Sequence, residues 1–277
     1  TADELRQRMV PTGTGFEELG AIIAADCHRH HSVITDAVFC GSFVLRRPDG
    51  SRSCGMRSDL DVILIYDEFD PQLAFEIFSW WHRAAAERHI PLSLLTYDTL
   101  TARKGKHWIH PPFFREAEWA QHNGGLIVGD IARRLTMLDL TPDTETYLRR
   151  SVDELSKARG EWKELAEKDR NKARDKVLRS PVTATRKILE ARGMTTVGRT
   201  RPEIADMLRE EVSSQRIAQQ WSIRLDEILA ADARYNALLP AMLDEFDEHR
   251  YAEELARIDE LLPLTHRLLH SMLNYWQ

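Results

Sequence analysis

With 277 residues, 43% of them hydrophobic and 30% charged, the chain can bury two cores of ordinary size, and its composition excludes a disordered polymer. A net charge of −6 excludes a nucleic-acid or acidic-membrane role that rests on bulk charge alone, though a local basic patch remains open. Three cysteines without CxxC spacing argue against a disulfide framework, and with no leader-like opening and no apolar run near ~18 residues the expectation is a cytoplasmic protein with no membrane partner.

Phe16, Leu19, Ile22, Ile23 and Cys27 recur at helical spacing and predict an amphipathic helix over 16–32. Cys27-His28-Arg29-His30-His31 has no second ligand cluster elsewhere and reads as a polar helix end, not a zinc site. The apolar run Ala37-Val38-Phe39-Cys40 is a strand ending at Gly41-Ser42. A turn signal over 46–51 predicts a small hairpin from Phe43–Arg47 and Ser53–Met56. Leu60, Val62, Ile63, Leu64, Ile65 and Tyr66 form the next strand. Asp70 then N-caps a helix with Pro71 in its first turn and Ala74, Ile77, Phe78, Trp81 and Ala85 on one face. Ile90–Tyr97 reads as a third strand, 101–112 as an irregular basic stretch, and Phe113–His122 as a short helix leading to Gly124-Gly125-Leu126-Ile127-Val128-Gly129-Asp130. This alternation implies an α/β or α+β domain with a small mixed sheet.

After residue 140 no strand is expected. Thr141-Pro142 starts a helix, Leu148, Val152, Leu155, Trp162 and Leu165 continue helical spacing to about Arg179, and Thr200-Arg201-Pro202-Glu203 is a capping box. Residues 215–247 and 250–276 predict two further helices, with Pro263 a candidate kink. The expected organisation is an α/β domain over 1–138 and an all-α helical bundle over 139–277.

The chemistry concentrates at Gly41-Ser42 and, after a gap of 15 residues, Ser58-Asp59-Leu60-Asp61-Val62. Side chains alternate along a strand, so Asp59 and Asp61 share a face about 6–7 Å apart. Two carboxylates at the start of an apolar strand suit Mg²⁺, a hard cation often held jointly with nucleotide phosphates. Glycine lets the backbone approach a phosphate, and serine offers a hydroxyl and an N–H.

Strand–Gly-Ser–loop–Ser-Asp-x-Asp–strand resembles the signature of the DNA polymerase β-type nucleotidyltransferase superfamily, including its minimal and aminoglycoside-modifying members. The similarity spans about 20–135. It implies a nucleotidyltransferase domain in which Asp59 and Asp61 are catalytic and hold Mg²⁺, while Gly41, Ser42, Ser58 and Arg57 bind the nucleotide. The Gly-apolar-Gly-Asp segment ending at Asp130 would supply a further strand. Val182–Gly193 followed by Arg201-Pro202-Glu203-Ile204 resembles the helix–glycine–helix segment of helical substrate domains, including HEPN-like ones.

The implied activity is transfer of an NMP, with ATP the favoured donor and AMP the group moved, to an acceptor hydroxyl. The acceptor stays open among a small molecule such as an aminoglycoside, a tRNA and a protein of a toxin–antitoxin or defence system. A homodimer or a toxin–antitoxin partner is equally compatible. The family also carries a third carboxylate on the neighbouring strand, where this chain has Ser93. Serine is a poor Mg²⁺ ligand and no base near neutral pH. That departure opens the alternative of a catalytically degenerate nucleotide-binding, regulatory or antitoxin module. Arg46, Arg47, Arg52 and Arg57 are candidate phosphate contacts, as are Lys172, Arg174, Lys176, Arg179, Arg186 and Lys187. Asp244, Glu245, Asp247, Glu248, Glu253 and Glu254 are the candidate lining of a cleft for a cationic acceptor, and Trp108, Phe113 and Phe114 that of a base or acceptor pocket.

Overall fold

Phe16, Leu19, Ile23 and Cys27 recur every three or four residues, and in the computed structural model they are buried along one side of α1 (Thr12–Arg29). The structure describes residues 12–46, 50, 52–54, 58–66, 70–98, 111–136, 144–212, 216–239 and 246–277. Within them the chain divides into two units, residues 2–141 and 142–277.

In the first unit, α1 is followed by β1 (Ile34–Cys40), a 3₁₀ turn (Gly41–Phe43), β2 (Leu60–Tyr66), α2 (Pro71–Glu87), β3 (Leu92–Asp98), α3 (Pro111–Ala120), β4 (Leu126–Val128) and α4 (Ile131–Thr136). The four strands form one mixed sheet in the order β3-β2-β1-β4. β1 is antiparallel to both β2 and β4, whereas β2 and β3 are parallel. Parallel neighbours need a long crossover, and α2 supplies it. The central strands are buried almost throughout, which explains why their sequences are apolar without alternation.

Local chemistry fixes the pieces. Asp70 caps α2 by accepting from the N–H groups of Gln72 at 2.9 Å and Leu73 at 3.2 Å. Trp81 is fully buried and donates its indole N–H to the buried Asp26 at 2.8 Å, tying α2 to α1. Asp26 also accepts from Arg29, so the polar end of α1 serves packing. Of the hairpin expected from Phe43–Arg47 and Ser53–Met56, the described residues show an isolated antiparallel bridge, Arg46↔Arg52, with the Ser53 N–H bonded to the Leu45 carbonyl at 2.9 Å. Phe43 belongs to the 3₁₀ turn, and residues 47 and 55–56 lie outside the described residues. Beyond β4, Gly129 has φ +79, and a Cβ there would lie 2.3 Å from Asp36 Oδ1. Only glycine fits that turn, which delivers the Asp130 N–H to Asp36 Oδ1 at 2.7 Å.

All three cysteines are buried and free. Burial, with the charge of Asp26, pushes the Cys27 thiol up to about 12, and burial likewise raises Cys40 and Cys54. Thiolate is the reactive form. The native protein is therefore expected to resist a disulfide reagent at pH 8 and to release all three thiols only when unfolded. A thiol raised by folding keeps its proton in the folded state alone. Stability from this source is thus complete below the unfolded value of 9.0 and declines as pH rises past it. Fast reaction of any one thiol in the native protein would show that the core around it opens.

The second unit consists of helices alone among its described residues: α5 (Thr144–Glu161), α6 (Glu167–Ala191), α7 (Arg201–Val212), α8 (Arg216–Leu238) and α9 (Glu248–Trp276). Thr144 is the first described residue after 136, so the expected start at Thr141-Pro142 lies outside the described residues. The stretch expected as one helix to about Arg179 is two, broken at 162–166, and α6 continues through Pro181 to Ala191. Pro181 lacks the N–H that would bond the Val177 carbonyl, and the buried Thr265 hydroxyl of α9 donates to that carbonyl at 3.4 Å instead. The capping box forms as written, Glu203 accepting from the Thr200 N–H at 2.7 Å. α9 passes through Pro263 as one helix and is N-capped by Asp247. No described helix is long and apolar enough to cross a membrane.

Candidate active site

β1 and β2 pair so that Cys40 stands beside Asp61, and β2 and β3 pair so that Asp61 stands beside Ser93. The start of β2, the end of β1 and the start of β3 therefore meet along one rim of the sheet, and Gly41-Ser42 follows immediately from β1. Ser93, not a carboxylate, is the β3 neighbour of Asp61. Asp98 pairs with Tyr66 at the far end of the strand.

Gly41 has φ +63, and a Cβ at that position would lie 2.3 Å from Asp61 Oδ2. The Asp61 carboxylate thus rests on the glycine, and no other residue leaves it room. The carbonyl of Gly41 accepts the N–H groups of Val44 at 3.2 Å and Leu45 at 3.3 Å, which locks the turn. Its own N–H points away and donates to Glu116 Oε1 of α3 at 3.1 Å. Burial, followed by the negative charges of Glu116, Asp61 and Asp59, holds the Cys40 thiol well above its ordinary range. Asp59, Asp61 and Glu116 are each half-buried.

Glu116 is not marked by the sequence motif, being 55 residues beyond Asp61 on a helix. The available signal was its spacing: it precedes by one helical turn the fully buried Ala120, a small residue that lets α3 lie close to the sheet.

Ser42 and Ser58 are half-buried beside the same rim. The Ser42 hydroxyl bonds the Cys54 thiol, a contact that partly offsets the rise caused by burial. Arg57 lies outside the described residues, as do Arg47, the basic stretch 101–107 and Trp108, and so do the side chains of Phe113 and Phe114. Arg52 is committed to structure. Its guanidinium forks onto Glu17, with Nη2 to Oε2 at 3.0 Å, donates to the Phe43 carbonyl, and lies 3.7 Å above the Phe43 ring. That hydrogen bond to Arg52 draws the Glu17 pKa down. Arg52 is accordingly the clasp of the turn after Ser42.

The candidate cations of the second unit are mostly engaged inside it. Arg174 is buried against Asp259 and Glu167, Lys176 pairs with Glu154 at 3.1 Å, Arg179 pairs with Asp175 at 3.0 Å, and Lys187 is buried 4.3 Å from the Tyr147 ring centre. Of the acidic stretch, Asp244 and Glu245 lie outside the described residues, Asp247 is a helix cap, and Glu254 is buried between Arg234 and Arg257.

Among the described residues no group of three or more His, Cys, Asp or Glu side chains is disposed to hold a metal ion. Asp59 and Asp61 offer the hard oxygen donors that Mg²⁺ prefers, and Mg²⁺ commonly takes one or two carboxylates, completing its shell with phosphate oxygens and water. Two carboxylates suit an ion that arrives with an anionic ligand better than one permanently caged. No protein-family model, curated protein or solved structure significantly matches the chain.

Proposed function

We propose that the chain is a Mg²⁺-dependent nucleotidyltransferase of the DNA polymerase β type, moving a nucleoside monophosphate from an NTP, with ATP favoured, to an acceptor hydroxyl. The observation that carries this reading is the Gly41–Ser42 turn. Its backbone N–H donates to an anionic oxygen, that of Glu116, while its Cα packs against the carboxylate of Asp61. An oriented N–H in a glycine turn is a phosphate-binding device, and a carboxylate beside it is what a phosphate-bound cation requires.

In the proposed reaction the acceptor oxygen bonds to the α-phosphorus, the bond from that phosphorus to the bridging oxygen breaks, and pyrophosphate leaves with the electron pair. Asp59 and Asp61 would hold Mg²⁺, which when bound neutralises phosphate charge. Gly41 and Ser42 receive the terminal phosphates, and the acceptor proton passes to a carboxylate of the rim or to water. The acceptor remains a small molecule, a tRNA or a protein.

Ser93 beside Asp61 favours one alternative, a nucleotide-binding module without turnover, because two strand carboxylates without a third bind a nucleotide-borne ion more readily than they activate a hydroxyl. Incubation with each α-labelled NTP and Mg²⁺, alongside total tRNA, an aminoglycoside panel and the protein alone, separates the readings. A labelled acceptor and released pyrophosphate are expected. Saturable NTP binding without label transfer would establish the binding module, and absence of both would sink the nucleotide reading.

A further inference from the structure

Two anions claim one hydrogen. The Gly41 N–H, assigned above to a phosphate oxygen, is bonded to Glu116 Oε1 at 3.1 Å. We infer that Glu116 is an internal ligand of the Gly41–Ser42 turn, displaced by an incoming polyphosphate, and that it decides how highly charged an anion the turn admits. The identity of the ligand rests on the nucleotide reading; the competition for the N–H does not.

The geometry leaves the N–H no other way to serve both. Cys40 on one side of this peptide is held by its pairing with Asp61 in the sheet, and on the other side Asp61 fills the space at the Gly41 Cα while Val44 and Leu45 hold the Gly41 carbonyl, so the turn is fixed from both flanks. Phe43, buried beside it and stacked by Arg52, anchors the next residue. Glu116 is the movable partner. Its helix is held by the fully buried Ala117 and Ala120, yet its own side chain is half-buried and can rotate about several bonds while the helix stays.

The exchange discriminates among anions. A singly charged carboxylate or a simple monoanion trades one hydrogen bond for its equal and gains nothing. A polyphosphate brings further oxygens to the turn and more charge for the charge-assisted bond, so it alone has a surplus with which to expel Glu116. Once expelled, Glu116 still faces the ligand and repels it, and this residual repulsion weakens polyphosphates that arrive without a cation.

The test is isothermal titration of the full-length wild type, Glu116→Gln and Glu116→Ala with inorganic tripolyphosphate and with ATP, in buffer free of divalent cations. Both variants are expected to bind both probes about tenfold or more tightly than wild type. Glu116→Gln should fall between, because its neutral amide oxygen still accepts the N–H but more weakly. Circular dichroism confirms the fold, and Glu116→Gln, of nearly identical shape, guards against a packing artefact in Glu116→Ala. Equal or weaker binding by both variants overturns the inference, as does binding of neither probe by any of the three proteins. ATP that binds wild type well and the variants no better also overturns it while sparing the nucleotide reading. Variants that gain affinity for tripolyphosphate but never prefer ATP support Glu116 as the internal ligand and count against the nucleotide.

Discussion

Asp61→Asn is expected to lower label transfer from NTP by about 10³-fold or more while the protein stays folded. The amide copies the carboxylate's shape, so the contact with Gly41 and the pairing of β1, β2 and β3 are kept. What disappears is one of the negative charges that act on the Cys40 thiol. Because the shape is kept, the urea midpoint should stay close to that of the wild type, which sets this variant apart from one that loses activity by unfolding. Asp59→Asn should behave in the same way. Initial rates with labelled NTP, read beside urea denaturation of the same preparation, supply both halves. Near-normal transfer by either variant would remove the metal role from that residue.

Arg174→Ala should destabilise the full chain by about 2–3 kcal/mol, less than the loss for a fully buried ion pair because Asp259 and Glu167 keep access to water. Its guanidinium is buried, with Nε to Asp259 Oδ1 at 2.6 Å, Nη2 to Oδ2 at 2.9 Å, and Nη1 to Glu167 and Asn171 at 2.8 Å each. Removal strands the Asp259 carboxylate against α6 and opens a void beside Trp162. Arg174→Lys should recover less than half of the loss, because an ammonium cannot reproduce the planar fork onto Asp259. Urea unfolding followed by helical circular dichroism measures both. A loss near 1 kcal/mol for Arg174→Ala would mean that water already screens the pair.

The parts of the fold that local rules govern were legible in the chain itself. Asp70 before Pro71, the Thr200–Glu203 box and the period of Leu19, Ile23 and Cys27 each act within a turn or two of helix, and each has its expected role. The break at 162–166 was not legible, since apolar residues at Trp162 and Leu165 carry the helical period across it. Pro181 inside α6 was hidden because its remedy, Thr265, lies 84 residues away on another helix. The candidate site divides in the same way. Gly41, Ser42, Asp59 and Asp61 stand out through spacing along adjoining strands. Glu116 reaches them only through tertiary packing, and Arg52, which resembles a phosphate contact in sequence, is absorbed by Glu17 and Phe43 from before and within the turn.

The clasp between Asp36 and the Gly129–Asp130 turn also bears on the order of events as the polypeptide emerges during synthesis. β1 is made early, yet one of its two edges finds its partner only when β4 arrives, and the hydrogen bond that fastens this edge spans 94 residues. Until then a strand of Val38, Phe39 and Cys40 has an open side, the kind of surface that invites pairing with another nascent chain. Domains generally fold as units, N-terminal first, and helical bundles with local contacts close quickly. The sheet unit, though first to leave the ribosome, has the slower closure to make. Pauses or chaperone binding that fall before residue 130 is exposed should therefore govern the yield of folded protein more than anything in the helices that follow.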